Sequence, residues 1–190
     1  MGVLQGMIMQ QLTTAAKKKL GTQAGSGGSV SDDAIQSAVD AILGGLKSNT
    51  NTAAGAEKLD ATLGKNHDGS ILNDVLGALG SGAVQTDGGK ILDHIFGRQQ
   101  NQVATKVGKQ TGLDKQAVIA LMIALAPIVL GQLGKLKKDK NLNSEEVADT
   151  VRKSGGSGIE NVVAGMLDQN KDGSIIDDIL RMGTNLFGKK

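Results

Sequence analysis

The chain has 190 residues, of which 39% are hydrophobic and 28 are glycine, so it can build one or two domains with a buried core. It contains no cysteine, which excludes disulfides, thiolate metal sites and a cysteine nucleophile. The only aromatic residues are Phe96 and Phe187, so the core is expected to be aliphatic and base-stacking surfaces are almost absent. A net charge of +2 is far below the dense positive charge typical of nucleic-acid-binding proteins.

The apolar runs of the chain predict neither a secretory signal nor a membrane span. Residues 1–12 have no basic segment and are interrupted by three glutamines, unlike a signal peptide. The longest uncharged apolar run, 117–131, is shorter than the roughly 18 residues of a spanning helix and contains Pro127. We therefore expect a soluble cytoplasmic protein without a transmembrane segment.

Helical spacing of apolar residues predicts the first elements of the chain. One amphipathic helix is expected from Val3 to Leu20, with a lysine-rich last turn and Gly21 as its stop. After a glycine- and serine-rich connector, Ser31 is placed to cap a helix that reaches about Ser48. We divide the chain into an N-terminal amphipathic helix in residues 1–24, a flexible connector in 25–30 and a helical domain in 31–190.

The middle of the chain also has helical periodicity. A weaker helix is expected over 52–63, followed by a turn and a helix that begins at Ser70. A short helix over 91–97 and a longer one over 98–110 come next, and Gly112 ends the second. Because no stretch alternates with the period of a strand, we expect an all-α fold.

The main core helix follows a cap at Asp114. Its uncharged run over 117–131 indicates burial on nearly all sides, and Pro127 is expected to bend it because the carbonyl of Ile123 loses its hydrogen-bond donor. A further helix over 143–153, a glycine-serine hinge and two final helices complete the predicted order.

Two segments of the chain repeat each other. Residues 63–76 (LGKNHDGSILNDVL) and 167–180 (LDQNKDGSIIDDIL) are identical at eight of fourteen positions. Similar starts upstream, Ser-Asp-Asp and Ser-Glu-Glu, indicate repeated units near 31–80 and 144–187. We therefore predict an all-α multihelical array with an internal duplication around a central buried helix bent at Pro127.

Three segments in the centre of the chain resemble a known family. GGKILDHIFG (88–97), VGKQTGLD (107–114) and LAPIVLGQLGK (125–135) look like the YidB-like bacterial domain of unknown function. The resemblance covers residues 70–150 well. It implies a compact, all-helical bacterial protein, and it supplies no catalytic residues because none are established for the family.

The second repeat carries a calcium-loop pattern. Oxygen ligands stand at positions 1, 3, 5 and 7 of the loop and a later carboxylate could close it; these candidate ligands are Asp168, Asn170, Asp172, Ser174 and Asp178. Position 12, where an EF-hand has a bidentate glutamate, is Ile179, so the expected affinity is no better than about 10⁻⁴ M. The alternative interpretation is a turn followed by a helix N-cap. The first repeat lacks the position-1 ligand and is interpreted as a turn.

Other motifs do not support an enzyme. Residues 84–91 (VQTDGGKI) lack the first glycine and the Ser/Thr of a phosphate loop, and no nucleophile elbow is present. His67 and His94 are too few for a multi-histidine metal site, and both are expected at the surface or at its boundary. We expect no catalytic residues, and no cofactor with the exception of the calcium alternative.

A lysine cluster follows the core helix. Lys135, Lys137, Lys138 and Lys140 could contact phosphates, which gives nucleic-acid binding as an alternative function. Lysines at a helix C-terminus also stabilise the helix dipole without any partner, and we favour this second interpretation.

The N-terminal helix carries an apolar stripe, which consists of Val3, Leu4, Met7, Ile8 and Leu12. The stripe has three alternatives: packing on its own bundle, on a second subunit or on a membrane surface. Among the intermolecular alternatives we favour exchange onto a second subunit, since a flexible tether permits it. The functional expectation is therefore a non-enzymatic helical protein that acts through protein contacts, including contacts with itself as a homo-oligomer.

Overall fold

All regular secondary structure is helical in the computed structural model, which describes residues 2–25, 27–154 and 158–167. Within these residues the chain forms ten α-helices, numbered in chain order: α1 (Val3–Gln11), α2 (Thr14–Gln23), α3 (Asp32–Asn49), α4 (Ala53–Asn66), α5 (Val75–Ala78), α6 (Gly82–Phe96), α7 (Gln100–Thr111), α8 (Lys115–Lys140), α9 (Ser144–Ser154) and α10 (Gly158–Leu167). Two 3₁₀ turns, Ser70–Asp74 and Gly97–Gln99, precede α5 and α7. The prediction of an all-α fold is confirmed.

Helix α8 is the centre of the fold. Asp114 begins it by accepting a hydrogen bond from the N–H of Ala117 at 2.9 Å, and Asn141 ends it in the left-handed conformation with φ of 51°. Its middle is buried on all sides, and α1, α2, α3, α4, α6 and α7 all contact it. The helix is long and apolar enough to span a membrane by length and composition, but 83% of its apolar window is buried inside the fold, as in the core helix of a soluble protein.

Proline lies inside α8 without ending it. The helix runs continuously from Lys115 to Lys140 through Pro127. The bend expected at this residue stays a prediction. Proline has no N–H, so the carbonyl of Ile123 loses its normal donor four residues further on.

The prediction of a single N-terminal helix is wrong. Two helices are present, because Leu12 is extended and Thr13 accepts a hydrogen bond from the N–H of Ala16 at 3.2 Å, which begins α2. The second helix also continues through Gly21, the predicted stop. It ends instead at Gln23, and the chain then passes through Gly25, where φ is 71°.

The region before the core helix also differs from the prediction. Helix α6 begins at Gly82 rather than near Ile91, since Ser81 caps it and Gly88 packs against the backbone of Ile123 on α8. The helix expected at Ser70 is a 3₁₀ turn followed by the four residues of α5. Other expected elements, notably α3, α7 with its stop at Gly112 and α9, are present close to their predicted bounds.

The core is aliphatic, as expected from the composition. Its fully buried side chains come mainly from leucine, isoleucine and valine of α1, α3, α6, α7 and α8, with Met122 and Phe96 among them. The second repeat, over 167–180, lies outside the described residues except for Leu167. The internal duplication therefore stays a prediction.

Candidate functional site

The candidate calcium ligands cannot be placed within the fold. Asp168, Asn170, Asp172, Ser174 and Asp178 all lie outside the described residues, so the calcium site stays a prediction from the sequence. Over 2–25, 27–154 and 158–167 no group of three or more histidine, aspartate or glutamate side chains is arranged to hold a metal ion.

The first repeat forms a tight turn, which we call the DGS turn and define as residues 67–71. Gly69 has φ of 95°, a conformation that glycine adopts without strain. Asp68 accepts a hydrogen bond from the N–H of Ser70 at 3.0 Å, and this bond holds the pKa of the Asp68 carboxyl below its usual value. The interpretation of this repeat as a turn therefore agrees with its geometry.

The DGS turn packs directly on two glycines of α8, Gly131 and Gly134, which we call the α8 glycine pair. A Cβ atom at Gly134 would overlap the carbonyl oxygen of His67 and lie 2.8 Å from its carbonyl carbon. A Cβ atom at Gly131 would overlap the Cγ2 methyl of Ile71. The two motifs that stand out separately in the sequence, NHDGSI and GQLGK, are thus the two sides of one contact.

His67, the first residue of this turn, is buried and faces Asp87 of α6. The expectation that it lies at the surface or its boundary is therefore wrong. Its exposed fraction is only 7%, and its Nε2 atom lies 3.7 Å from Oδ2 of Asp87 on α6. Burial lowers the pKa of His67, and the Asp87 carboxylate opposes that shift. His94, by contrast, is exposed on α6 as expected.

The lysine cluster is partly neutralised within the chain. Lys137 Nζ lies 2.6 Å from Asp60 Oδ1 on α4, and Lys135 Nζ lies 2.9 Å from Asp139 Oδ2. Lys138 is exposed beside the DGS turn, where its charge also lowers the pKa of Asp68. These pairs reduce the positive charge that the cluster presents to solvent.

The apolar stripe of α1 packs mostly inside its own chain. Leu4, Ile8 and Leu12 belong to the buried core, and α1 contacts α3, α8 and α9. Met7 is half-buried, and its sulfur accepts a hydrogen bond from Nε2 of Gln132 on α8 at 3.7 Å. Val3 is 79% exposed.

Two buried glutamines at this contact are absent from the sequence-based candidates. Gln5 is 1% exposed and its Oε1 accepts a hydrogen bond from the N–H of Gly2 at 2.6 Å. Its Nε2 atom and the Oε1 atom of Gln132 are buried with no hydrogen-bond partner among the described residues. The signal for Gln5 was its position beside Leu4 on the apolar face, where a polar residue is unexpected.

Comparison with known proteins identifies the family. A family model described as "Bacterial protein of unknown function (DUF937)" matches residues 6–136, a stretch that includes α8 as far as Leu136 and the residues of its contacts with the DGS turn. No curated protein and no solved structure matches the chain. The YidB-like resemblance of the central motifs is consistent with this result. The chain belongs to this family of bacterial proteins of unknown function.

Proposed function

We propose that this chain is a cytoplasmic, non-enzymatic module that acts through protein contacts and self-associates by exchanging its N-terminal arm, residues 3–23, between copies. The observation that carries the proposal is the way α1 is held. Leu4 and Ile8 are fully buried, but the amides of Gln5 and Gln132 in the same contact are incompletely hydrogen-bonded among the described residues.

The apolar side of this contact is suited to a second copy as well as to the chain's own bundle. Leu4 and Ile8 are fully buried between α1 and the helices α3, α8 and α9. In a domain-swapped dimer the α1 helix of one copy would make these same contacts in its partner. Exchange therefore needs no surface beyond the one that α1 already covers.

The polar side lowers the free energy needed to release α1. A buried donor or acceptor without a partner costs about 1–3 kcal/mol. Gln5 Nε2 and Gln132 Oε1 are two such groups at the α1 contact. When α1 leaves, both amides return to water, so release of the arm recovers part of the cost of exposing its leucines.

The connector provides a hinge for that release. Gly25 and Gly27, between α2 and α3, have φ of 71° and 67°, left-handed conformations that glycine adopts without strain. Among the contacts across the hinge, the N–H of Val30 donates to the carbonyl of Lys17 at 3.4 Å, and Lys17 Nζ lies 2.6 Å from the exposed carboxylate of Asp32. An ion pair with an exposed partner contributes little to stability.

The first experiment is a mass measurement by light scattering with refractive-index detection, because the chain has no Trp or Tyr to absorb at 280 nm. Self-association predicts a mass above the 19.5 kDa monomer that rises with concentration. Deletion of residues 1–20 should leave a soluble monomer. A full-length chain that stays monomeric at all concentrations would count against self-association.

A cysteine experiment then tests exchange itself, since the natural chain has no cysteine. Met7→Cys and Gln132→Cys are made in separate chains, mixed, and treated with a short thiol crosslinker. Exchange predicts crosslinked heterodimers, because α1 of one copy lies beside α8 of the other. The matched control pairs Met7→Cys with Arg98→Cys, an exposed position outside the three helices that hold α1, and should give no such product.

A further inference from the structure

We propose that the DGS turn is a pH-operated latch: when His67 takes up a proton, residues 67–71 leave the α8 glycine pair. This device is independent of arm exchange. It rests on the place of one buried imidazole at the meeting point of α4, α6 and α8, and on the way its backbone is held.

The main chain of His67 is part of the docked contact. Its carbonyl group lies so close to Gly134 that no side chain fits between them, and two residues later Gly69 lies against Lys135, where an added Cβ would be 2.7 Å from the lysine Cβ. The imidazole of His67 is therefore attached to backbone that is itself docked on α8. Release of this backbone from α8 would carry the imidazole into water.

A charged imidazole is poorly accommodated in this position. Among the described residues its carboxylate contact is Asp87 at 3.7 Å, and that side chain is 45% exposed, so solvent screens the attraction. Other charged side chains on the elements that meet at the turn include Lys135, Lys137 and Lys138 on α8, Lys65 at the end of α4, and Asp68 and Asp74 of the turn and the residues after it.

These charges do not offset the burial. Asp68 accepts from the N–H of Ser70 and Asp74 accepts from the N–H of Gly77, so both carboxylates are engaged locally. The shift of the His67 pKa agrees with poor accommodation of the charge, since burial lowers this pKa more than Asp87 raises it.

The sign of the effect follows from linkage. A histidine whose pKa is lowered in the docked state binds fewer protons there than in the open state. The docked state is therefore fully favoured above the ordinary histidine pKa of about 6.5, and it loses stability as the pH falls below that value. Opening exposes Ile71 and the α8 glycine pair.

The test follows the backbone amide signals of Gly69, Gly131 and Gly134 by ¹⁵N NMR between pH 7.5 and 5.0 in the full chain. All three are expected to shift together, with one midpoint below 6.5, and the ring protons of His67 should titrate at the same midpoint. His67→Gln should remove the transition. His94→Gln is the matched control, because His94 is exposed on α6, and it should retain the transition.

Asp87→Asn provides an independent variant. Asp87 favours the protonated imidazole in the docked state, so loss of this carboxylate should make opening at low pH more complete and should not move its midpoint to lower pH. Glycine signals that do not change in the natural chain, or that change equally in His67→Gln, overturn the proposal. If His67→Gln does not fold, a His67 ring midpoint that differs from the glycine midpoint in the natural chain also overturns it.

Discussion

Gly88 of α6 lies directly against the backbone carbonyl of Ile123 in α8. A Cβ atom at Gly88 would overlap that oxygen and lie 2.8 Å from the carbonyl carbon. The same carbonyl is the one that Pro127 deprives of its helical donor, so a carbonyl that is free to tilt outward meets the one residue type that leaves room for it.

Gly88→Ala is expected to destabilise the fold by about 1–3 kcal/mol, because the added methyl must push α6 away from backbone atoms that cannot rotate aside. Urea unfolding followed by circular dichroism at 222 nm measures the change. Gly89→Ala is the matched control. No atom would contact its methyl, so the change should stabilise the chain by up to about 1 kcal/mol. Equal effects of the two substitutions would contradict the contact.

The α8 glycine pair should respond unequally to alanine. Gly134→Ala meets the backbone of His67, whereas Gly131→Ala meets a side-chain methyl of Ile71. A side chain can change rotamer and a backbone cannot, so we expect the first substitution to cost about 3 kcal/mol and the second about 1 kcal/mol. The same urea unfolding experiment tests this order, and a larger loss at Gly131 would show that the turn is held by its side chains instead.

Gln132→Met should strengthen the packing of α1 on α8. The substitution keeps the side-chain volume nearly constant and removes a buried acceptor that has no partner among the described residues, so the free energy of unfolding should rise by about 1 kcal/mol. If arm exchange is the mode of self-association, the rate at which the monomer mass gives way to the dimer mass in light scattering should fall in parallel. Faster exchange in this variant would argue that the amide of Gln132 holds α1 through Met7.

The calcium hypothesis has its own test. Binding at the loop of residues 168–178 predicts a dissociation constant near or above about 10⁻⁴ M by calorimetry and a rise in the melting temperature in millimolar calcium. Asp172→Asn should remove both effects, and Asp68→Asn in the first repeat should leave both unchanged. Absence of heat and of stabilisation in the natural chain would remove the hypothesis.

The lysine cluster predicts weak nucleic-acid binding at most. Lys137 is paired with Asp60, and Lys135 with Asp139, so binding of a DNA duplex should be undetectable at physiological salt. Fluorescence polarisation with labelled DNA measures it. Tight binding that is lost when Lys138 and Lys140 are changed to glutamine would instead support a nucleic-acid function.

Local signals were sufficient for several elements of the fold. The cap at Asp114 and the uncharged run after it fixed α8, and the reciprocal bonds between Asn143 and Glu146, at 2.9 and 3.0 Å, begin α9 as a capping box. Gly112 ends α7 with φ of 75°. Each of these features depends on residues within four positions of one another.

The errors arose where a distant contact decides the outcome. The first part of α6, residues 82–90, was not predicted as helical because the packing of Gly88 on Ile123 is not visible in the local sequence. His67 looked exposed for the same reason, since Gly134 and Asp87 are far from it along the chain. The buried pair Gln5 and Gln132 could not be recognised without knowing which helices meet.

The glycine contacts on α8 have a mechanical consequence. Gly88 brings α6, and Gly131 and Gly134 bring the DGS turn, into contact with α8 without an intervening side chain on the glycine. An added carbon at Gly88 or Gly134 is therefore transmitted as a displacement of a whole helix or turn, because backbone cannot repack locally. These two positions act as fixed stops that set the spacing of the bundle, and single-carbon changes there would let that spacing be adjusted in small steps.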